Sequence, residues 1–278
     1  MVKGKRRKLG GVVYVLPNLL TTGNLFFGFF SIVQALHGHF MSAAVAIFVA
    51  AIFDVLDGRV ARLTGGTSEF GVQYDSLCDL VSFGVAPAFL MYLGGGLVGQ
   101  DRLGWIVCFV FLACGALRLA RFNVQSSIGK ANGDFTGLPI PMAAAVVACF
   151  VAATQDLGSR EYTNQFFQVL QERAVEPSFR SYFFLVAGPC LGLLMVSNFN
   201  YRSHKSLRVL GIRPFRLLVL AVAITALIAM QPELIGFVFF FAYAVSGPIE
   251  WIFGRKPVDD DEIFSSEDEL EDHEIASH

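Results

Sequence analysis

The sequence predicts an all-α, polytopic integral membrane protein with about eight transmembrane helices. Three observations carry this expectation. Only 16% of the 278 residues are charged and 54% are hydrophobic, whereas a soluble domain carries about 25% charged residues. Apolar runs of the roughly 20 residues that a membrane helix needs recur at about 16–36, 40–62, 72–94, 104–122, 138–155, 179–198, 214–230 and 233–253. With eight spans, both ends of the chain fall on one side of the membrane. That side then holds 17 of the 21 Lys and Arg residues and the other side holds 4, the asymmetry expected when the basic side is cytoplasmic.

The elements follow in order. Residues 1–15 form a basic tail with five Lys and Arg in Lys3–Lys8. The first span contains Pro17, Asn18, Thr21 and Asn24. With its length, these polar residues argue against a cleaved signal peptide. His37 and His39 fall in the short outer turn and read as exposed loop histidines. The second and third spans carry charges at their ends, and the third is interrupted by Gly84 and Pro87. The connection 156–177 is long and polar and suits an amphipathic surface helix. After Gly254 the chain turns acidic, with ten of its 23 acidic residues in Asp259–Glu274. That tail is too poor in apolar residues to fold and reads as disordered. Without it the membrane body carries about +6, which suits anionic lipid and nucleotide phosphates; no nucleic-acid partner is expected. The five cysteines are scattered without a CxxC pair and read as small buried hydrophobes rather than a disulfide framework.

Ionisable residues in apolar spans are costly and usually mark function. Asp54 and Asp57 lie three apart at the end of span two, and Asp75 and Asp79 four apart at the start of span three. Each pair therefore shares one helix face. The short connection 63–70 makes the two helices antiparallel neighbours, with all four carboxylates at the same cytoplasmic end. Four carboxylates in one small volume repel each other, and a divalent cation removes the conflict. All-oxygen ligation, with no nearby His or Cys at ligand spacing, favours Mg²⁺ or Mn²⁺ over Zn²⁺. Helix-end pairing with Arg59 and Arg62 could explain two carboxylates but not four. Gly58, Gly71 and Ala61 leave room beside these carboxylates, or serve close helix packing. Arg62, one turn beyond Gly58, is placed to meet phosphate.

The run D-x2-D-G-x2-A-R-x8-G-x3-D-x3-D, formed by Asp54, Asp57, Gly58, Ala61, Arg62, Gly71, Asp75 and Asp79, resembles the motif of the CDP-alcohol phosphotransferases. Pro17-Asn18-x-x-Thr21 is similar to the first-helix pattern of that family. The resemblance implies a six-helix catalytic core with a polar cavity open to the cytoplasm and to the lipid leaflet. It implies two divalent ions held by Asp54, Asp57 and Asp75, with Asp79 as general base that also reaches the second ion. It also implies that Gly58, Ala61, Arg62 and Gly71, with Asn18 and Thr21 of the first helix, surround the CDP-lipid. The chain then divides into the basic tail 1–15, the catalytic core 16–198, two additional spans in 199–253 and the acidic tail 254–278. The expected setting is a bacterial inner membrane, with both termini and the active site cytoplasmic, and the resemblance implies a homodimer.

The stretches Asp79–Ala88, Gly115–Asn123 and Phe135–Pro141 resemble the phosphatidylserine synthase branch of the family. This implies transfer of a phosphatidyl group from CDP-diacylglycerol to serine. Ser82, Arg118, Arg121 and Asn123 are the candidate acceptor contacts. Guanidinium groups suit an amino-acid carboxylate, but equally suit a phosphorylated acceptor such as glycerol phosphate or inositol phosphate, and helix-end arginines also serve topology. Choline or another alcohol as acceptor, and a divalent-cation transporter, are the competing readings. The transporter reading is disfavoured because the carboxylates cluster at a helix end rather than at the bilayer midplane.

Overall fold

The computed structural model describes residues 10–66, 68–127, 135–159, 165–201 and 231–253. They form α1 (Gly10–Leu36), α2 (Phe40–Thr64), α3 (Glu69–Asp79), a π-helical turn (Leu80–Val85), α4 (Ala86–Leu93), α5 (Asp101–Ser127), α6 (Ile140–Ser159), α7 (Gln165–Val175), α8 (Pro177–Val196) and α9 (Pro232–Ile252). Among the described residues, seven spans are long and apolar enough to cross a membrane: Val15–Leu36, Phe40–Thr64, Glu69–Leu93, Asp101–Ser126, Ile140–Ser159, Pro177–Val196 and Pro232–Ile252. They correspond to seven of the eight expected spans. The remaining one, 214–230, lies outside the described residues, as do the acidic tail 254–278 and residues 1–9. Helix α1 starts at Gly10, inside the stretch expected to be tail. The surface helix expected within 156–177 is present as α7.

Helix α6 is the centre of the bundle. Its Ala143, Ala144, Val146, Val147, Ala148 and Val151 are fully or almost fully buried, and α2, α4, α8 and α9 pack around it. Small residues let the neighbouring backbones approach closely in a medium where helix association relies on packing rather than on water exclusion. By contrast Phe26, Phe29, Ile52, Phe109, Val186 and Phe239 are exposed, as lipid-facing side chains should be.

Two turns set the geometry of the first three helices. Gly38, at φ +78°, closes the turn between α1 and α2. Gly65, at φ +64°, caps α2, and Gly66 N–H donates to Ala61 O at 3.0 Å; this is the glycine left-handed stop common at helix ends. Ser68 then caps α3, accepting from Gly71 N–H at 3.0 Å. This reversal places α3 antiparallel to α2, while α1 packs along both.

The interruption expected at Gly84 and Pro87 is a widening rather than a break. Ala86 N–H reaches back five residues to Val81 O. Proline has no N–H to offer and its ring crowds the preceding turn; the wider π turn accommodates it, and such turns cluster at functional sites. A short antiparallel ladder, Phe135–Thr136 with Asn200–Tyr201, joins the start of α6 to the end of α8. Tyr201 is buried and donates to Ala244 O at 2.9 Å, fixing α9 against this ladder.

Helix α1 meets the π turn closely at one point. A Cβ on Gly28 would collide with Ser82 Oγ and lie 2.7 Å from Ser82 Cα. Because backbone is involved, the helices would have to part. Gly28→Ala should therefore destabilise the protein by about 1–3 kcal/mol, the range for overpacking, measured as a lower thermal-unfolding midpoint in detergent. Gly99→Ala, whose Cβ meets nothing within 4 Å, should leave the midpoint near that of the wild type.

Candidate metal centre and substrate cavity

Asp54 and Asp57 come from the last turns of α2 and Asp75 from the middle of α3. One carboxylate oxygen from each lies within 4.8 Å of the others. Asp57 is buried and the other two are half-buried. Among the described residues, none of the three forms an ion pair with a lysine or arginine, so the pairing with Arg59 and Arg62 is not what holds them. Asp57 Oδ2 and Asp75 Oδ1 are buried without a hydrogen-bond partner.

Magnitudes decide what this cluster requires. Two unit charges about 5 Å apart repel by about 3 kcal/mol at an effective dielectric of about 20. Three carboxylates make three such pairs, and two of the buried oxygens have no donor to offset them. A divalent cation meets both deficits, because hard cations take carboxylate oxygens as ligands. The donor set therefore fits the metal that its chemistry implies: oxygen-only and anionic.

Asp79 stands apart from this group. It lies one turn further along α3 and is 9% exposed. Its Oδ1 accepts from Asn24 Nδ2 at 2.9 Å. The structure thus brings three of the four expected carboxylates together and holds the fourth beside them.

A cavity of about 220 Å³ opens on Asp57 and Asp75 of the carboxylate cluster. Asn18, Thr21, Gly58, Ala61, Arg62 and Gly71 line it, together with Pro17, Ser68, Asp57 and Asp75. All six residues expected around the CDP-lipid are therefore on one wall system. Gly58 has the plainest role there: a Cβ on it would meet nothing nearer than Arg62 Nη2 at 3.9 Å. Close helix packing does not account for this glycine, and open cavity does. Gly71 is tighter, with Ser68 Oγ at 3.1 Å and Asn18 Oδ1 at 3.5 Å from the same hypothetical atom.

The expected acceptor contacts separate into two groups. Ser82 is fully buried and its hydroxyl donates to Asn24 O at 3.0 Å. Arg121 donates to Val196 O at 3.0 Å and to Asn198 Oδ1 at 2.8 Å, tying α5 to the end of α8. Asn123 exchanges hydrogen bonds with Ser76 at 3.0 and 3.2 Å, bridging α5 to α3. These three side chains are engaged by the protein itself and hold α1, α3, α5 and α8 together; contact with the acceptor stays an expectation for them. Arg118 differs. It is 8% exposed, its Nε has no hydrogen-bond partner, and its guanidinium lies 6.0 Å from the Phe122 ring centre. It interacts electrostatically with Asp79 and Asp54.

Asn24 was not singled out by spacing, although a polar side chain in an apolar span was the available signal. Ser68 was also missed; only its capping geometry brings it to the cavity wall.

Residues 14–172, more than half of the chain, match the CDP-alcohol phosphatidyltransferase family. The chain belongs to that family. A Helicobacter pylori relative named CDP-diacylglycerol–serine O-phosphatidyltransferase is 36% identical over 241 residues, covering 87% of this chain and 92% of that one. A Mycobacterium tuberculosis protein of the same name is 35% identical, covering 59% of this chain and 58% of its own. An archaetidylserine synthase from Methanothermobacter thermautotrophicus is 43% identical, covering 49% and 57% respectively. The matched family region contains all four carboxylates and every residue lining the cavity.

Within this family member the carboxylate cluster makes a direct prediction. Asp57→Asn or Asp75→Asn should weaken Mn²⁺ binding by at least about tenfold, since even outer-sphere changes cost roughly 10–100-fold. Asp101→Asn, outside the cluster, should not. Titration of Mn²⁺ followed by electron paramagnetic resonance in detergent reads both.

Proposed function

We propose that this family member transfers the phosphatidyl group of CDP-diacylglycerol to the hydroxyl of L-serine, releasing CMP and forming phosphatidylserine. The single observation that carries the proposal is the three-carboxylate cluster opening on a cavity whose walls include Asp57, Gly58, Ala61, Arg62, Gly71 and Asp75 of the carboxylate motif. The names of relatives aligned along most or about half of the chain support serine as the acceptor.

Asp54, Asp57 and Asp75 would hold Mg²⁺ or Mn²⁺, with two ions proposed and Asp79 reaching the second. When bound, such ions neutralise diphosphate charge and stabilise the departing CMP. The chain's own residues supply the remainder. Asn18, Thr21, Gly58, Ala61, Arg62 and Gly71 surround the CDP portion, with Arg62 as the cationic partner for phosphate. The acceptor oxygen forms a bond to the lipid-side phosphorus, and the bond from that phosphorus to the CMP oxygen breaks. The hydroxyl proton passes to Asp79, which acts as general base. Arg118, whose Nε is unpartnered and whose charge interacts with Asp79, is the proposed partner for the serine carboxylate. The cavity faces the cytoplasm in this reading, consistent with the Lys and Arg asymmetry of the sequence, and the protein works as a homodimer in a cell membrane.

An acceptor screen tests the reading. CMP release from CDP-diacylglycerol should require serine, and should be far slower with choline, glycerol phosphate or inositol phosphate. Product with one of those and none with serine would replace serine in the proposal. Metal flux into liposomes without any CMP formation would replace the enzyme by a transporter. EDTA should abolish turnover, and Mg²⁺ or Mn²⁺ should restore it.

Two substitutions test the assigned roles. Asp79→Asn should lower kcat by about 10²–10⁴-fold, the usual worth of a positioned proton transfer, while CDP-lipid binding persists. Gly58→Leu should fold normally, because its side chain enters open space, yet raise KM for CDP-diacylglycerol by at least about tenfold, the signature of lost ground-state binding.

A further inference from the structure

A carboxylate can act as a base only if one oxygen is kept available to the acceptor hydroxyl in a fixed direction. Asp79 has three bonds between its Cα and that oxygen, and among the described residues no side chain of α3 itself is hydrogen-bonded to its carboxylate. The fixing contact comes from α1. Asn24 is fully buried, and its Nδ2 donates to Asp79 Oδ1 at 2.9 Å. An ionised carboxylate can only accept, so the amide nitrogen must be the end that faces it.

Asn24 is itself held. Its backbone carbonyl accepts from Ser82 Oγ at 3.0 Å, and Ser82 is fully buried on the π turn that follows Asp79. The absence of a side chain at Gly28 lets α1 approach that same serine. Asp79 is thus gripped twice by α1, once through its carboxylate and once through the turn that carries its own helix onward. Asn24 Oδ1 is buried without a partner. A buried amide with one unmatched end is retained at a cost, which a purely structural role would not require.

We propose that Asn24 is the positioning residue for Asp79: its amide holds Oδ1 of the carboxylate so that the other oxygen is presented to the acceptor hydroxyl. The inference rests on the reading of Asp79 as general base. Asn24 need not touch substrate; it acts through the carboxylate.

The test is a double-mutant cycle on the full-length protein in detergent, measured as CMP release from CDP-diacylglycerol with serine. Asn24→Leu removes the donor at similar volume. It should lower kcat by about 10-fold or more while KM for CDP-diacylglycerol changes by less than about threefold. In an Asp79→Asn background, read under single-turnover conditions, the same substitution should cost almost nothing further, because the two residues act as a unit. Mn²⁺ binding at the wild-type level shows that the site has assembled. Should Asn24→Leu not fold, Asn24→Ala, which leaves space for water, carries the same expectations. Wild-type kcat in either variant, or a loss that adds in full to that of Asp79→Asn, overturns the inference. So does a rise in KM with kcat unchanged. Failure of the underlying reading looks different: there Asp79→Asn alone would keep wild-type turnover.

Discussion

The mutual repulsion of Asp54, Asp57 and Asp75 is the constraint on which the rest of this structure turns. Three anionic groups within 4.8 Å, one buried and two half-buried, would separate unless the backbone prevented it. The reversal between α2 and α3 does so. Gly65 stops α2 in the left-handed conformation, Ser68 restarts α3, and few residues between them allow relaxation. Strain of this kind is tolerated where function uses it. In the proposed reading it pre-organises an oxygen cage, so that a cation would enter a site already assembled rather than one it must gather.

Glycine serves two opposite purposes around this cage. At Gly23 a Cβ would lie 2.6 Å from the Phe53 ring, and at Gly28 it would strike Ser82. These glycines draw α1 against α2 and the π turn. Gly58 faces emptiness by the same measure. The close packing around the first two makes the scaffold stiff, and the open space at the third is where the proposed reading seats the CDP-lipid. A rigid wall and an open one are thus built from the same residue type, distinguished only by what stands opposite.

Most of the fold was legible in the sequence because length and apolarity alone determine a membrane span. The described helices reproduce seven expected spans within a few residues. The carboxylate cluster was legible because three- and four-residue spacing fixes a shared face. What spacing could not reveal was partnership at a distance. Ser82 and Asn24 are separated by 58 residues, and Arg121 and Asn198 by 77. A serine and an arginine in a polar neighbourhood look alike as substrate contacts and as structural ties until the opposite helix is placed. The π turn was equally hidden: Gly84 and Pro87 signalled an interruption, but not that a wider turn would carry the span through.

The choice of a neutral amide to hold Asp79 has a chemical logic. An arginine bonded directly to that carboxylate would form a charge-assisted pair, roughly twice as strong as a neutral hydrogen bond, and would oppose the transfer of a proton onto it. Asn24 fixes direction with less stabilisation of the anion. Arg118 interacts electrostatically with Asp79, yet none of the described hydrogen bonds joins it to that carboxylate, and its Nε is unpartnered. In the proposed reading the guanidinium is thereby kept for an incoming anionic group rather than neutralised by the base. Such an arrangement separates the two tasks that an amino-acid acceptor imposes. Its carboxylate needs a cation, its hydroxyl needs a base, and the two must be close without cancelling each other.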